Sequence, residues 1–149
     1  SDSFGVYYSG GLAGTGTKSS IVPTSNGPRL LYAVESPENW FEDFGEGKLN
    51  NGKAFVSFDP LFLETITIDE KNSFKVFITL TGEDAVNPVR VIKQQNGFIA
   101  EELNNGKSSA AFDWRVVAKR KNYENYRLEK SDVALTDSNL HAKALEKPV

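Results

Sequence analysis

Ala110-Ala111-Phe112-Asp113-Trp114-Arg115-Val116-Val117-Ala118-Lys119 is the stretch on which the fold class turns. Successive side chains of a strand point to opposite faces. In extended form, Ala110, Phe112, Trp114, Val116 and Ala118 therefore share one side, and Asp113, Arg115 and Lys119 share the other. Such alternation is the signature of a half-buried antiparallel strand, with Trp114 on the dry face. Outward from this stretch the same period recurs. Lys53 to Phe58 places Ala54, Val56 and Phe58 together, and Phe74 to Leu80 aligns Phe74, Val76, Ile78 and Leu80. Aromatic and β-branched residues dominate these runs, as strands prefer.

Turn residues separate the runs. Asn50-Asn51-Gly52, Asn96-Gly97 and Asn104-Asn105-Gly106 supply residues that tolerate positive φ, which tight hairpins require. The clearest hairpin runs from Val89 to Gln95, turns at Asn96-Gly97 and returns over Phe98 to Leu103. Further strands are expected at Phe4–Tyr8, Ser19–Val22, Arg29–Glu35, Asn39–Phe44 and Gly47–Leu49. Pro60 to Thr65 reads as one helical turn capped by Asp59, with proline at its start. The sum is about eight to ten short strands, spaced as in an all-β antiparallel sandwich or distorted barrel. The expected organisation is an N-terminal strand and glycine-rich loop over 1–16, a β-rich domain over 17–130, and a polar tail or short helix over 131–149.

Composition narrows the chemistry. A chain of 149 residues, 39% hydrophobic and 25% charged, makes one ordinary globular domain. No apolar run approaches membrane-spanning length, so no membrane insertion is expected. Cysteine is absent and the single histidine, His141, lies in the polar tail. Disulfides, thiolate metal sites, cysteine nucleophiles, histidine-centred triads and multi-histidine metal sites are thereby excluded. No cofactor is expected. The net charge of −3 is too mild for a nucleic-acid partner. Charge is nonetheless uneven. Residues 1–70 carry four basic against ten acidic side chains (net −6), and residues 71–149 thirteen against ten (net +3). Opposed halves help neighbouring subunits to pair, although differently decorated solvent faces give the same pattern.

Four constellations invite a functional reading. Gly11 to Ser19 has the glycines and lysine of a phosphate loop. Thr17 intrudes before Lys18, however, and the extended Ile21-Val22-Pro23 follows where a helix is needed. Glu35, Glu38, Glu42, Asp43 and Glu46 form an acidic group without glycosidase or calcium-loop spacing, and a solvated rim is the simpler reading. Tyr32, Trp40, Phe41 and Phe44 surround that group. Alternation sends Trp40 and Phe41 to opposite faces, so one outward ring is a candidate for stacking on a sugar or for a subunit contact. The competing reading packs it under a loop. Lys119-Arg120-Lys121 with Tyr123, Tyr126 and Arg127 interleaves basic and aromatic residues as single-strand binders do, yet Glu124 and Glu129 dilute it to a basic strand end.

One order of segments resembles a known module. Lys18-Ser19, Leu31 to Glu38 with its Glu35-Ser36-Pro37-Glu38 step, Gly45-Glu46-Gly47 and Asn51 to Val56 come first. Phe58 to Phe62, Thr79 to Gly82, Gly97-Phe98 and Glu101-Glu102 follow, and Phe112 to Arg120 closes the series. Together these are similar to a β-rich module near the C-termini of phage tail-fibre and fibre-like bacterial surface proteins, over about residues 17–128. The resemblance implies a non-enzymatic structural or adhesive domain of an extracellular, cell-surface or virion fibre. It further implies a homotrimer that contacts other fibre proteins or a cell-surface glycan or receptor. Relatives carry a His-Pro after the Lys-Ser segment, where this chain has Val22-Pro23, and a self-cleaving chaperone domain downstream, which is not expected here. A stand-alone carbohydrate-binding module using Trp40 or Phe41 is the alternative. A glycosidase or peptidase built on Glu35 or Glu38 ranks third, because an enzyme of this size ordinarily shows a more legible constellation.

Overall fold

A computed structural model describes residues 9–12, 14 and 16–130. The expected Phe4–Tyr8 strand and the 131–149 tail lie outside the described residues. The chain divides into two units, Ser1–Ser36 and Pro37–Val149. The sequence boundary after residue 16 differs from this division, which assigns the whole of the first hairpin to the smaller unit.

In the first unit, β1 (Ser19–Val22) pairs antiparallel with β2 (Arg29–Tyr32), Ser19 opposite Tyr32 and Val22 opposite Arg29. The pairing extends one step further, where Ala33 N–H donates to the Lys18 carbonyl at 2.8 Å. The turn between the strands closes with Gly27 N–H donating to Thr24 O at 3.1 Å.

The second unit holds β3 (Trp40–Lys48), β4 (Lys53–Ser57), α1 (Pro60–Thr65), β5 (Ile66–Thr67), β6 (Lys75–Thr81), β7 (Val89–Gln94), β8 (Gly97–Glu102) and β9 (Ala111–Arg120). Every pairing is antiparallel. One sheet has β9 at its centre, with β3 along one edge and β6 followed by the two-residue β5 along the other. The other sheet runs β4-β8-β7. Neither sheet closes on itself among the described residues, so the architecture is an all-β sandwich and not a barrel.

The alternation of β9 is realised: Phe112, Val116 and Ala118 are buried, with Phe98 and Ala100 of β8 buried in the same core. Leu49, Phe58, Ile66, Phe74 and Ala110 complete it. The Phe58 and Phe74 rings meet edge to face at 5.0 Å, and Phe98 meets Trp114 edge to face at 6.0 Å. Each such buried side chain stabilises the fold by about 1.5–3 kcal/mol. Asp59 caps α1 as expected, its carboxylate accepting the Leu61 N–H at 2.7 Å.

Three readings are corrected. The two strands expected at Asn39–Phe44 and Gly47–Leu49 are one nine-residue strand, β3. Its glycines do not break it; they make room. A Cβ at Gly45 would stand 2.4 Å from the Trp114 ring, and one at Gly47 would stand 2.3 Å from the Phe112 ring. The β7–β8 turn comprises Gln95 and Asn96, with Gly97 already paired to Gln94 in β8. Gly97 is required by close approach, since a Cβ there would lie 2.1 Å from the Val56 carbonyl oxygen. Lys119, expected to face solvent, is buried against Trp40 and Glu38. The Asn50-Asn51-Gly52 turn does follow its residues: Asn51 (φ 52°) and Gly52 (φ 82°) both adopt left-handed backbone, as a two-residue hairpin loop demands.

Candidate functional site

The register of the first sheet builds an outward face in rows. Trp40 stands beside Lys119, Glu42 beside Val117 and Lys75, Phe44 beside Arg115 and Phe77, and Glu46 beside Asp113 and Thr79. In the central row Arg115 lies between two rings, 5.7 Å from the Phe44 centroid and 5.8 Å from that of Phe77. Its guanidinium also bonds the Glu42 carboxylate, at 2.8 Å through Nε. Phe44 and Phe77 remain 61% and 55% exposed, large values for rings on a strand. The result is an exposed aromatic row with a paired cation at its centre and the Glu42, Glu46 and Asp113 carboxylates in the neighbouring rows.

Of the four aromatic candidates, only Phe44 has the open platform geometry. Trp40 shares its face but is half-buried and engaged from two sides, with Lys75 Nζ 4.3 Å and Lys119 Nζ 4.7 Å from its ring. Phe41 points to the opposite face, as alternation requires, and carries the Arg120 guanidinium at 5.3 Å. Tyr32 belongs to the first unit. Within the second unit, Trp40, Phe41 and Phe44 are therefore not gathered into one site. Phe77 is the partner that the sequence reading missed; in Phe74-Lys75-Val76-Phe77 the same alternation that turns Phe74 and the half-buried Val76 toward the core already sends it outward.

The acidic group is likewise dispersed. Glu35 pairs with Lys18 at 3.3 Å, Glu38 with Lys119 at 2.7 Å and Glu42 with Arg115, while Asp43 accepts the Phe44 N–H at 2.9 Å. Lys119 beside it holds the Glu38 carboxyl below the usual carboxylate range. Among the described residues no three acidic or histidine side chains converge as a metal-ligand group. In the phosphate-loop-like segment Lys18 is followed by β1, with no helix start to receive an anion. The basic run at the end of β9 is also spent internally. Arg120 lies 4.2 Å from the Tyr123 ring, and Lys121 Nζ donates to the Glu64 carbonyl at 3.4 Å.

A second exposed surface is the β1–β2 hairpin. Leu30, Tyr32 and Val34 alternate onto one side of it with Ile21, which stands opposite Leu30; Val22 and Leu31 lie on the other side. Every residue of both strands is exposed. Ile21 is 74% and Val34 97% accessible. Hairpins of two strands are marginal in water unless a third strand or another layer covers them. No helix among the described residues is long and apolar enough to cross a membrane. Comparison of the chain with protein-family models, with curated proteins and with solved structures finds no match.

Proposed function

We propose that the chain is a non-enzymatic structural or adhesive domain of an extracellular or viral fibre, assembling with further copies of itself through the β1–β2 hairpin. The observation that carries this reading is the hairpin's exposed apolar side, built from Ile21, Leu30, Tyr32 and Val34. Contiguous exposed apolar surface marks an interaction site, and among the described residues neither strand pairs with anything but the other, which leaves an edge open to pairing. Copies of the same chain are the occupant argued for, because the two halves of the sequence carry opposite net charge and can attract across an interface. A closed trimer, the assembly implied by the fibre resemblance, would pack three such hairpins about one axis. Light scattering on the intact chain at micromolar concentration tests the reading. Trimer mass is expected; a clean monomer would overturn it.

The second reading, a glycan-binding surface, is favoured by the Phe44–Arg115–Phe77 row. Flat exposed rings stack on the apolar face of a sugar while rim carboxylates accept its hydroxyls. Glycan-array binding lost in both Phe44→Ala and Phe77→Ala, with the fold retained by circular dichroism, is the expected result for this role. Binding unchanged in both variants would remove it.

A further inference from the structure

Each sheet of the second unit has an outer face, and each face carries an apolar row where alternation ordinarily places polar side chains. On the first sheet that row is Phe44–Arg115–Phe77. On the second sheet the register aligns Phe55 of β4, Ile99 of β8 and Ile92 of β7. Phe55 is 54% and Ile92 36% exposed, with Ile99 half-buried between them. Phe98 and Ala100, on either side of Ile99 in β8, point the other way into the core.

The rows beside these two carry opposite charge. Two residues along from Phe44, Glu46 stands directly opposite Asp113, and Thr79 completes the row. Among the described residues no lysine or arginine pairs with either carboxylate. Like charges directly opposite each other destabilise a sheet, so this row is short of cations. Two residues along from Phe55, the corresponding row is Lys53–Glu101–Arg90. Both cations bond the one carboxylate, which leaves that row one positive charge in excess. On each face the charged row lies one step from the apolar row, so the two patterns share a spacing of about 6.7 Å, the rise of two strand residues.

We propose that the two outer faces are complementary halves of a head-to-tail contact between copies of this chain, the first face of one copy packing on the second face of the next. Laying the apolar rows against each other, as sheets pack in a sandwich, brings Lys53 and Arg90 of one copy over Glu46 and Asp113 of the other. Arg115 enters the contact already paired with Glu42, so its charge is not buried alone. Symmetric pairings are poorer. The first face on itself, row on row, sets Arg115 against Arg115. The second face on itself sets Glu101 against Glu101, or leaves Lys53 and Arg90 over the neutral Ser57–Gly97–Gln94 row. A contact between opposite faces does not close at two copies and repeats as a filament. A patch of three rows on three strands is small beside the about 20–30 residues a side of a standard interface, and predicts weak association with Kd about 10⁻⁴ M.

The contact uses no residue of the β1–β2 hairpin, so the two interfaces can be tested apart. Sedimentation equilibrium is measured on the intact chain carrying Leu30→Ser and Tyr32→Ser, up to about 1 mM, ten times the expected Kd. Oligomers that grow steadily with concentration are expected. In the same background, Phe44→Ser with Phe77→Ser removes the first face, and Phe55→Ser with Ile92→Ser removes the second. Each of these variants alone is expected to stay monomeric, and their equimolar mixture to form a one-to-one dimer and nothing larger, because one intact face of each kind remains. A parent chain that stays monomeric overturns the proposal, and does so equally if it binds glycans through Phe44 and Phe77 instead. Self-association of either face variant, or a mixture that stays monomeric, also overturns it. Should a face variant fail to fold, Asp113→Lys takes its place: Kd is expected to rise about tenfold or more, and an unchanged Kd overturns the contact.

Discussion

Gly45 and Gly47 show how much a single residue decides. Each stands opposite an aromatic residue of β9 in the register, and the Trp114 and Phe112 rings fill the space where its side chain would be. The Trp114 indole N–H then reaches the Glu46 carbonyl at 3.3 Å. Gly45→Ala is expected to force the indole aside and to destabilise the chain by about 1–3 kcal/mol, the usual cost of overpacking, read as a lower urea midpoint with unchanged slope. Charges act at the same scale. Glu38 beside Lys119, Glu101 between Lys53 and Arg90, and Glu102 on the Ser108 amide are all held below the ordinary carboxylate range. A carboxyl whose folded pKa is lowered adds stability that is complete above its unfolded pKa, about 4.3 for glutamate, and is lost as pH falls through the folded value. Melting temperature is therefore expected to hold nearly level from neutral pH to about 5 and to decline below it, less steeply in Glu38→Gln. Stability that rises on acidification would contradict this. At this scale the sequence was legible where alternation ruled, as along Ala110 to Ala118. It was opaque for Lys119 and Glu102, because which partners would sequester a charge is settled by segments distant in sequence.

Elements followed their local signals closely wherever both the period and the turn chemistry were strong. The capped turn at α1, the Asn51-Gly52 loop and the dry faces of β4, β6 and β9 all follow from short-range rules. Asp59→Ala removes the acceptor of the Leu61 and Phe62 amides. A loss of about 1 kcal/mol is expected, measured by thermal unfolding; no loss would mean that packing alone holds the turn. What stayed hidden has a common cause. Glycine reads as punctuation in a single sequence, yet at Gly45, Gly47 and Gly97 it serves an approach from another strand. The two-residue β5 is too short to show a period, and it exists because Ile66 and Thr67 continue the edge that β6 occupies along β9. Phe44 was a candidate from sequence, but its pairing across Arg115 with Phe77 needed the register of three strands.

The whole molecule presents a sandwich with its own core and, in a separate unit, a hairpin whose strand residues are all exposed. That asymmetry is the physical basis of the proposed assembly. The sandwich has its apolar side chains buried between two sheets, whereas the hairpin leaves Ile21, Leu30, Tyr32 and Val34 in water on one side. Function was far less legible than fold, since strand periodicity reports which face is dry and carries no record of what covers a face left wet. Replacing Leu30 and Tyr32 together by serine is expected to abolish self-association while leaving sandwich unfolding unchanged, because neither residue belongs to its core. Sedimentation velocity of the intact chain and of this double variant, side by side across micromolar concentrations, is the most direct test. The account predicts a trimer for the wild type and a monomer for the variant; a wild-type chain that sediments as a monomer throughout would contradict it.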